Sequence, residues 1–250
     1  MLKFVGIGDL ANVKYGNTCA YIKNESSLLI LDCGVTAFQR IIELNLMDDI
    51  KDLYVAITHN HPDHVAGLAS LIFYAHYWNN ANVNIIVSSR DNNKQKDNLQ
   101  KLLSIQGLKE KHYSFILEED VNLFENSLTL KYEPVVHTSE LECFAIILKT
   151  LERTIYYLGD NNDSEFIQNI VQNLGQNDII YTDCTTYVYE NKVHMELDTL
   201  VQIVPEKQRK QVCCMHLCND ESAKQIQAYG FKLASKEQSK KEILDKIRAH

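Results

Sequence analysis

The heptapeptide Thr58-His59-Asn60-His61-Pro62-Asp63-His64 decides how this chain is read. The run before it, residues 53–58, is short, apolar and rich in β-branched side chains, which predicts a strand. If that strand continues for two residues, its two-residue period turns His59 and His61 to one side. Pro62 and Asp63 suit the first turn of a helix, which would aim Asp63 and His64 back at the same point. Three imidazoles and a carboxylate so close together repel and desolvate one another unless a cation offsets the cost. A metal site is therefore a better reading than exposed turn histidines.

Working outward, three more donors stand at the ends of expected strands, where loops usually gather function. His137 follows residues 129–136, Asp160 follows 154–158 and a glycine, and His216 follows 212–215. Further strands are expected at 2–7, 18–23, 27–32, 83–87, 143–149 and 179–182. Apolar residues at helical spacing mark 36–46, 65–77, 94–103, 165–174, 197–204 and 222–229. Strand follows strand before the first long helix, so the early pairing is expected to be antiparallel or mixed, giving two sheets with helices outside.

Composition bounds the rest. Of 250 residues, 45% are hydrophobic and 23% charged, enough for a full core; three prolines and nine glycines do not cluster into a linker, so one domain over 1–250 is expected. A formal charge of -8, from 33 acidic and 25 basic residues, excludes a basic nucleic-acid-coating role. The longest mainly apolar stretch, about 68–78, is too short to span a bilayer, and the N-terminal run reads as a strand rather than a secretion signal. With seven cysteines in no framework spacing, the expectation is a cytoplasmic protein with reduced thiols. Cys213, Cys214 and Cys218 surround His216 like a zinc knuckle, but no second cysteine pair completes such a site, so they are read as buried structural thiols.

The order HxHxDH, His, Gly-Asp, His, with Gly16-Asn17-Thr18 and Leu29-Ile30-Leu31-Asp32-Cys33-Gly34 upstream, resembles the metallo-β-lactamase fold superfamily over nearly the whole chain. The resemblance implies a four-layer αββα sandwich of two mixed β-sheets flanked by helices. It implies that His59, His61 and His137 hold one metal, that Asp63, His64 and His216 hold a second, that Asp160 bridges them, and that Asp32 supports the metal loop. Two divalent cations, zinc by preference with manganese or iron as alternatives, can lower the pKa of a bridging water to about 7, and Asp63 can orient or deprotonate that water.

Within the superfamily, His194 resembles the extra histidine of ribonuclease Z-like metal-dependent phosphodiesterases, where it can protonate the leaving oxygen. Its alternative is a surface histidine at a helix start. The tRNA-gripping arm of ribonuclease Z has no room between His137 and Asp160, and Pro62 replaces the glycine usual in that enzyme's cluster. The expected activity is thus hydrolysis of a small-molecule or nucleotide phosphodiester, or of nucleic-acid ends, with Asp63 and His194 as catalytic residues. The alternatives are an ester, lactone or thioester hydrolase of the same fold, and a non-catalytic metal-binding sensor. A homodimer is implied by resemblance alone. The locally basic stretch 88–111 could bind phosphate but reads better as a solvated helix face. Tyr187 and Tyr189 are read either as base-stacking pocket residues or as core or sheet-surface tyrosines, and His76, His112 and His250 are assigned no role.

Overall fold

The computed structural model describes residues 2–121, 123–124, 127–187, 190, 192–239 and 242. Its first half opens antiparallel, with β1 (Lys3–Gly6), β2 (Cys19–Asn24) and β3 (Ser27–Leu31) in sequence order. β4 (Asp52–Ala56), β5 (Asn82–Val87) and β6 (Ser114–Leu117) then extend the sheet in parallel, giving the order β1-β2-β3-β4-β5-β6. The crossovers carry α1 (Ala37–Glu43), α2 (Pro62–Val65), α3 (Leu68–Tyr77) and α4 (Lys94–Ile105).

The second half repeats the plan. β7 (Thr129–Val135), β8 (Cys143–Lys149) and β9 (Thr154–Tyr157) pair antiparallel. β10 (Ile179–Asp183), β11 (Val212–Met215) and β12 (Lys232–Leu233) continue in parallel, with α5 (Ser164–Gln172), α6 (Leu197–Ile203) and α7 (Asp220–Ala228) between them. The result is the expected αββα sandwich of two mixed six-stranded sheets.

β3 shows why both faces of a strand must be apolar here. Leu29 and Leu31 enter the core shared by the two sheets with Phe4, Tyr132, Phe144 and Tyr157. Leu28 and Ile30 face the other way, toward Ile41 of α1 and Leu68, Leu71 and Ile72 of α3. A strand buried on both sides reads as a continuous hydrophobic run, whereas one with a wet face alternates. Among the described residues no helix is long and apolar enough to cross a membrane.

Two details depart from the sequence reading, besides the short edge strands β6 and β12, which it did not foresee. The helix expected over 65–77 is two helices, because Gly67 lies so close to the preceding segment that an added Cβ would fall 2.3 Å from the Gly34 carbonyl oxygen. Its N–H instead donates to Cys33 O at 2.8 Å. β4 also stops at Ala56, so strand alternation does not orient His59 and His61. Asp32 captures the Thr58 N–H at 2.8 Å, and the chain leaves the sheet there.

Candidate metal centre

Asp32 is fully buried just past the end of β3. One oxygen accepts from Thr58 N at 2.8 Å and Thr58 Oγ1 at 3.0 Å; the other accepts from the Tyr157 hydroxyl at 3.0 Å and from His64 Nδ1 at 2.9 Å. That bond fixes His64 with its proton on Nδ1 and leaves the Nε2 lone pair free to bind. The next turn is equally constrained, with Cys33 N donating to His64 O at 2.6 Å. A Cβ on Gly34 would sit 1.9 Å from Asp63 O, so only glycine lets this segment support the turn that carries Asp63 and His64.

Two groups of donors result, each with its ligand atoms within 4.8 Å of one another. The first comprises His59, His61, His137 and Asp160. His61 Nδ1 faces His59 Nε2 at 3.0 Å and His137 Nε2 at 3.3 Å, and the far nitrogen of His137 donates to Val193 O at 2.5 Å. The second comprises Asp63, His64, Asp160 and His216. His216 Nε2 lies 3.1 Å from Asp63 Oδ2 and 3.3 Å from Asp160 Oδ2. Asp160 is common to both groups, with Oδ1 3.3 Å from His64 Nε2 and Oδ2 3.8 Å from His137 Nε2. All seven residues predicted from the sequence to bind metal are thus brought together.

The electrostatics suit a cation. Burial, then repulsion from His64, holds His59 well below the ordinary histidine range; burial and His137 lower His61. Both are therefore neutral donors. Burial opposes ionisation of Asp160, but the charges of His216 and His64 outweigh it and hold this carboxyl well below its ordinary value. Asp63 is lowered too, its burial overcome by the hydrogen bond to His216 and the charge of His64. His64 Nε2 and Asp160 Oδ1 are buried with no hydrogen-bond partner. Buried lone pairs left in this way cost stability, and a shared cation would satisfy both. The donor set, imidazole and carboxylate without cysteine, fits two borderline divalent ions.

His194 lies beside this centre, its ring 5.1 Å from that of His137 and 5.0 Å from that of His216. Its Nδ1 donates to Asp183 Oδ2 at 2.9 Å. Burial disfavours the charged ring, but the Asp183 hydrogen bond and charge prevail and raise its pKa to about 9. Asp183, at the end of β10, is absent from the sequence-based candidates although the same signal, a carboxylate closing an apolar strand, identified Asp160. It also closes a third group of potential ligands with Asp160 and His194.

The other side chains singled out from sequence take structural places. No cysteine belongs to these ligand groups among the described residues, and all seven thiols are free. Arg90 pairs with Glu133 at 2.8 Å and Lys94 with Glu142 at 2.7 Å, which partly neutralises the basic stretch. His112 is held by Tyr77 at 3.2 Å and packs edge-on against His76. Tyr187 lines a separate cavity; Tyr189 and His250 lie outside the described residues.

Comparison with known proteins agrees with this architecture. The protein YhfI from Bacillus subtilis, a metallo-β-lactamase fold protein, superposes with a TM-score of 0.68 at 16% identity, over 93% of this chain and 94% of its own. The short form of human tRNase Z gives a TM-score of 0.65 at 14% identity, over 95% of this chain and 97% of its own. These likenesses establish the metallo-β-lactamase fold. In sequence, the Anti-Pycsar protein Apyc1 of Saccharibacillus brassicae is 24% identical over 225 residues, 88% of this chain and 90% of the relative. The family model described as Anti-Pycsar protein Apyc1 matches residues 1–239, from the first strand to beyond β12 and across every donor of the centre, so the chain belongs to the Anti-Pycsar protein Apyc1 family.

Proposed function

We propose that the chain is a metal-dependent phosphodiesterase acting on a small, nucleotide-type diester. The observation that carries this reading is the Asp183–His194 pair set beside Asp160, the carboxylate common to both donor groups. A phosphodiester has a poor alkoxide leaving group and needs an acid distinct from whatever prepares the nucleophile. With Nδ1 committed to Asp183 and the pKa raised to about 9, His194 keeps its proton at neutral pH and presents Nε2 as the donor to the departing oxygen.

His59, His61 and His137 would hold one divalent ion and Asp63, His64 and His216 the other, with Asp160 shared. When bound, such ions supply Lewis acidity that lowers the pKa of water toward 7 and offsets phosphate charge. Asp63, ionised through its contact with His216, would orient the attacking water and accept its proton. Seven free thiols support a reducing, cytoplasmic setting for this hydrolase domain.

The short β8–β9 connection takes the place of a tRNA-gripping arm among the described residues, and the net charge is -8, both of which favour a small substrate over tRNA. The names of tRNase Z and of the anti-Pycsar relatives support phosphodiester chemistry and a role against Pycsar. The test is hydrolysis of bis(p-nitrophenyl) phosphate by protein loaded with zinc, manganese or iron, beside an ester, a thioester and a β-lactam. His194→Ala should lower diester turnover at least a hundredfold with both metals retained. Turnover of the acyl substrates alone would overturn the reading.

A further inference from the structure

Next to the metal centre is a second hollow that the chemistry above does not use. It has a volume of about 340 Å³ and lies between the segment after β10, the start of α6 and the outer face of α7. Thr185 lines it and also the small recess beside Asp183, His194 and His216, so the two spaces share a wall. From Asp183 to Thr185 is two residues of extended chain, about 6.6 Å, comparable with the reach from a nucleotide's phosphorus to its base.

The lining has a definite chemistry. Tyr187 and Tyr229 are each about half exposed, and both line the hollow. The Tyr187 hydroxyl is tied down by Asn219 Nδ2 at 2.9 Å, which steadies the ring. Between them stands Glu196, linked by backbone to Thr185 in a parallel bridge. One of its oxygens, Oε2, is 3.5 Å from Lys192; the other, Oε1, is buried without a hydrogen-bond partner. A buried carboxylate oxygen without a donor is costly unless a ligand supplies one.

We propose that this hollow is a nucleobase subsite, in which Tyr187 and Tyr229 contact the base faces and Glu196 Oε1 accepts a hydrogen bond from an exocyclic amino group. Aromatic side chains stack on any base, while a carboxylate selects an amino edge such as cytosine N4 and is repelled by the carbonyl that uracil presents there. The inference rests on the nucleotide reading above and specifies which nucleotides the site prefers. Glu196 and Tyr229 are binding residues, outside the reacting groups.

Calorimetric titration of zinc-loaded protein with cytidine 5′-monophosphate, uridine 5′-monophosphate and inorganic phosphate tests it. The cytidine nucleotide should bind about tenfold more tightly than the uridine one; Glu196→Gln should bring that ratio close to one. Tyr229→Leu should weaken both nucleotides about tenfold. Phosphate affinity should be unaltered in both variants, which reports that each has folded. Equal binding of the two nucleotides by the unmodified protein, or parallel loss of nucleotide and phosphate in the variants, overturns the subsite. Base-selective binding that depends on Glu196, in a protein that leaves every diester intact, would uphold the subsite and remove the phosphodiesterase reading instead.

Discussion

Replacing Asp32 with asparagine keeps the shape of a fully buried side chain and removes its charge. Asp32 accepts four hydrogen bonds, from Thr58 N, Thr58 Oγ1, His64 Nδ1 and the Tyr157 hydroxyl, at 2.8 to 3.0 Å. An asparagine oxygen can retain those on one side; its amide nitrogen then confronts the donors of the other. Bonds to a charged acceptor contribute about 1.5–3 kcal/mol each, so the loss of two predicts a destabilisation of about 3–5 kcal/mol in metal-free protein. A second effect is separate. Without its Nδ1 acceptor, His64 is no longer fixed in the tautomer that bares Nε2, and disturbance of such supporting partners weakens metal binding by roughly 10–100-fold. Denaturant unfolding in chelator measures the first quantity, and zinc titration of the refolded protein the second. Metal-free stability within about 1 kcal/mol of the unmodified protein, together with undiminished zinc affinity, would refute the role assigned to Asp32.

Gly34→Ala should release metal from the Asp63–His64 side, because its Cβ would stand 1.9 Å from Asp63 O; bound metal per chain, determined by atomic absorption, checks this. In metal-free protein the His194 pKa is raised from 6.5 to about 9, so its stabilising contribution is complete below about pH 6.5 and disappears as pH rises through 9. Asp183→Asn should remove most of that contribution, roughly 3 kcal/mol by the size of the shift, and return the His194 titration toward 6.5 in NMR spectra. Chelation should lower the melting temperature, and excess zinc should restore it in a concentration-dependent way; a midpoint indifferent to zinc would contradict the metal centre.

Much of this was legible because the decisive signals are local. HxHxDH places four donors within six residues, and β8 and β11 have the boundaries expected from their apolar runs. His137, Asp160 and His216 could be found because a polar residue closing an apolar strand faces an exposed sheet edge. What sequence could not supply depends on long-range contact. The end of β4 is set by Asp32, from a neighbouring strand, and the break at Gly67 by the backbone of Gly34. Asp183 carries a legible signal, yet its meaning comes only from the position of His194. β12 pairs over just two residues, too short for any periodic pattern.

The division of donors between the two sheets bears on how the protein assembles. His59, His61, Asp63 and His64 issue from the edge of the first sheet, while His137, Asp160 and His216 issue from the second. Each half alone therefore holds an incomplete coordination sphere, and full affinity arises only when the sheets dock in register. Metal capture would act as a checkpoint on that docking: a misaligned sandwich would bind weakly and stay open to proteolysis, and a correctly closed one would be riveted across its seam. The same division makes the protein a candidate for splitting between β6 and β7, with zinc driving the two fragments to reunite.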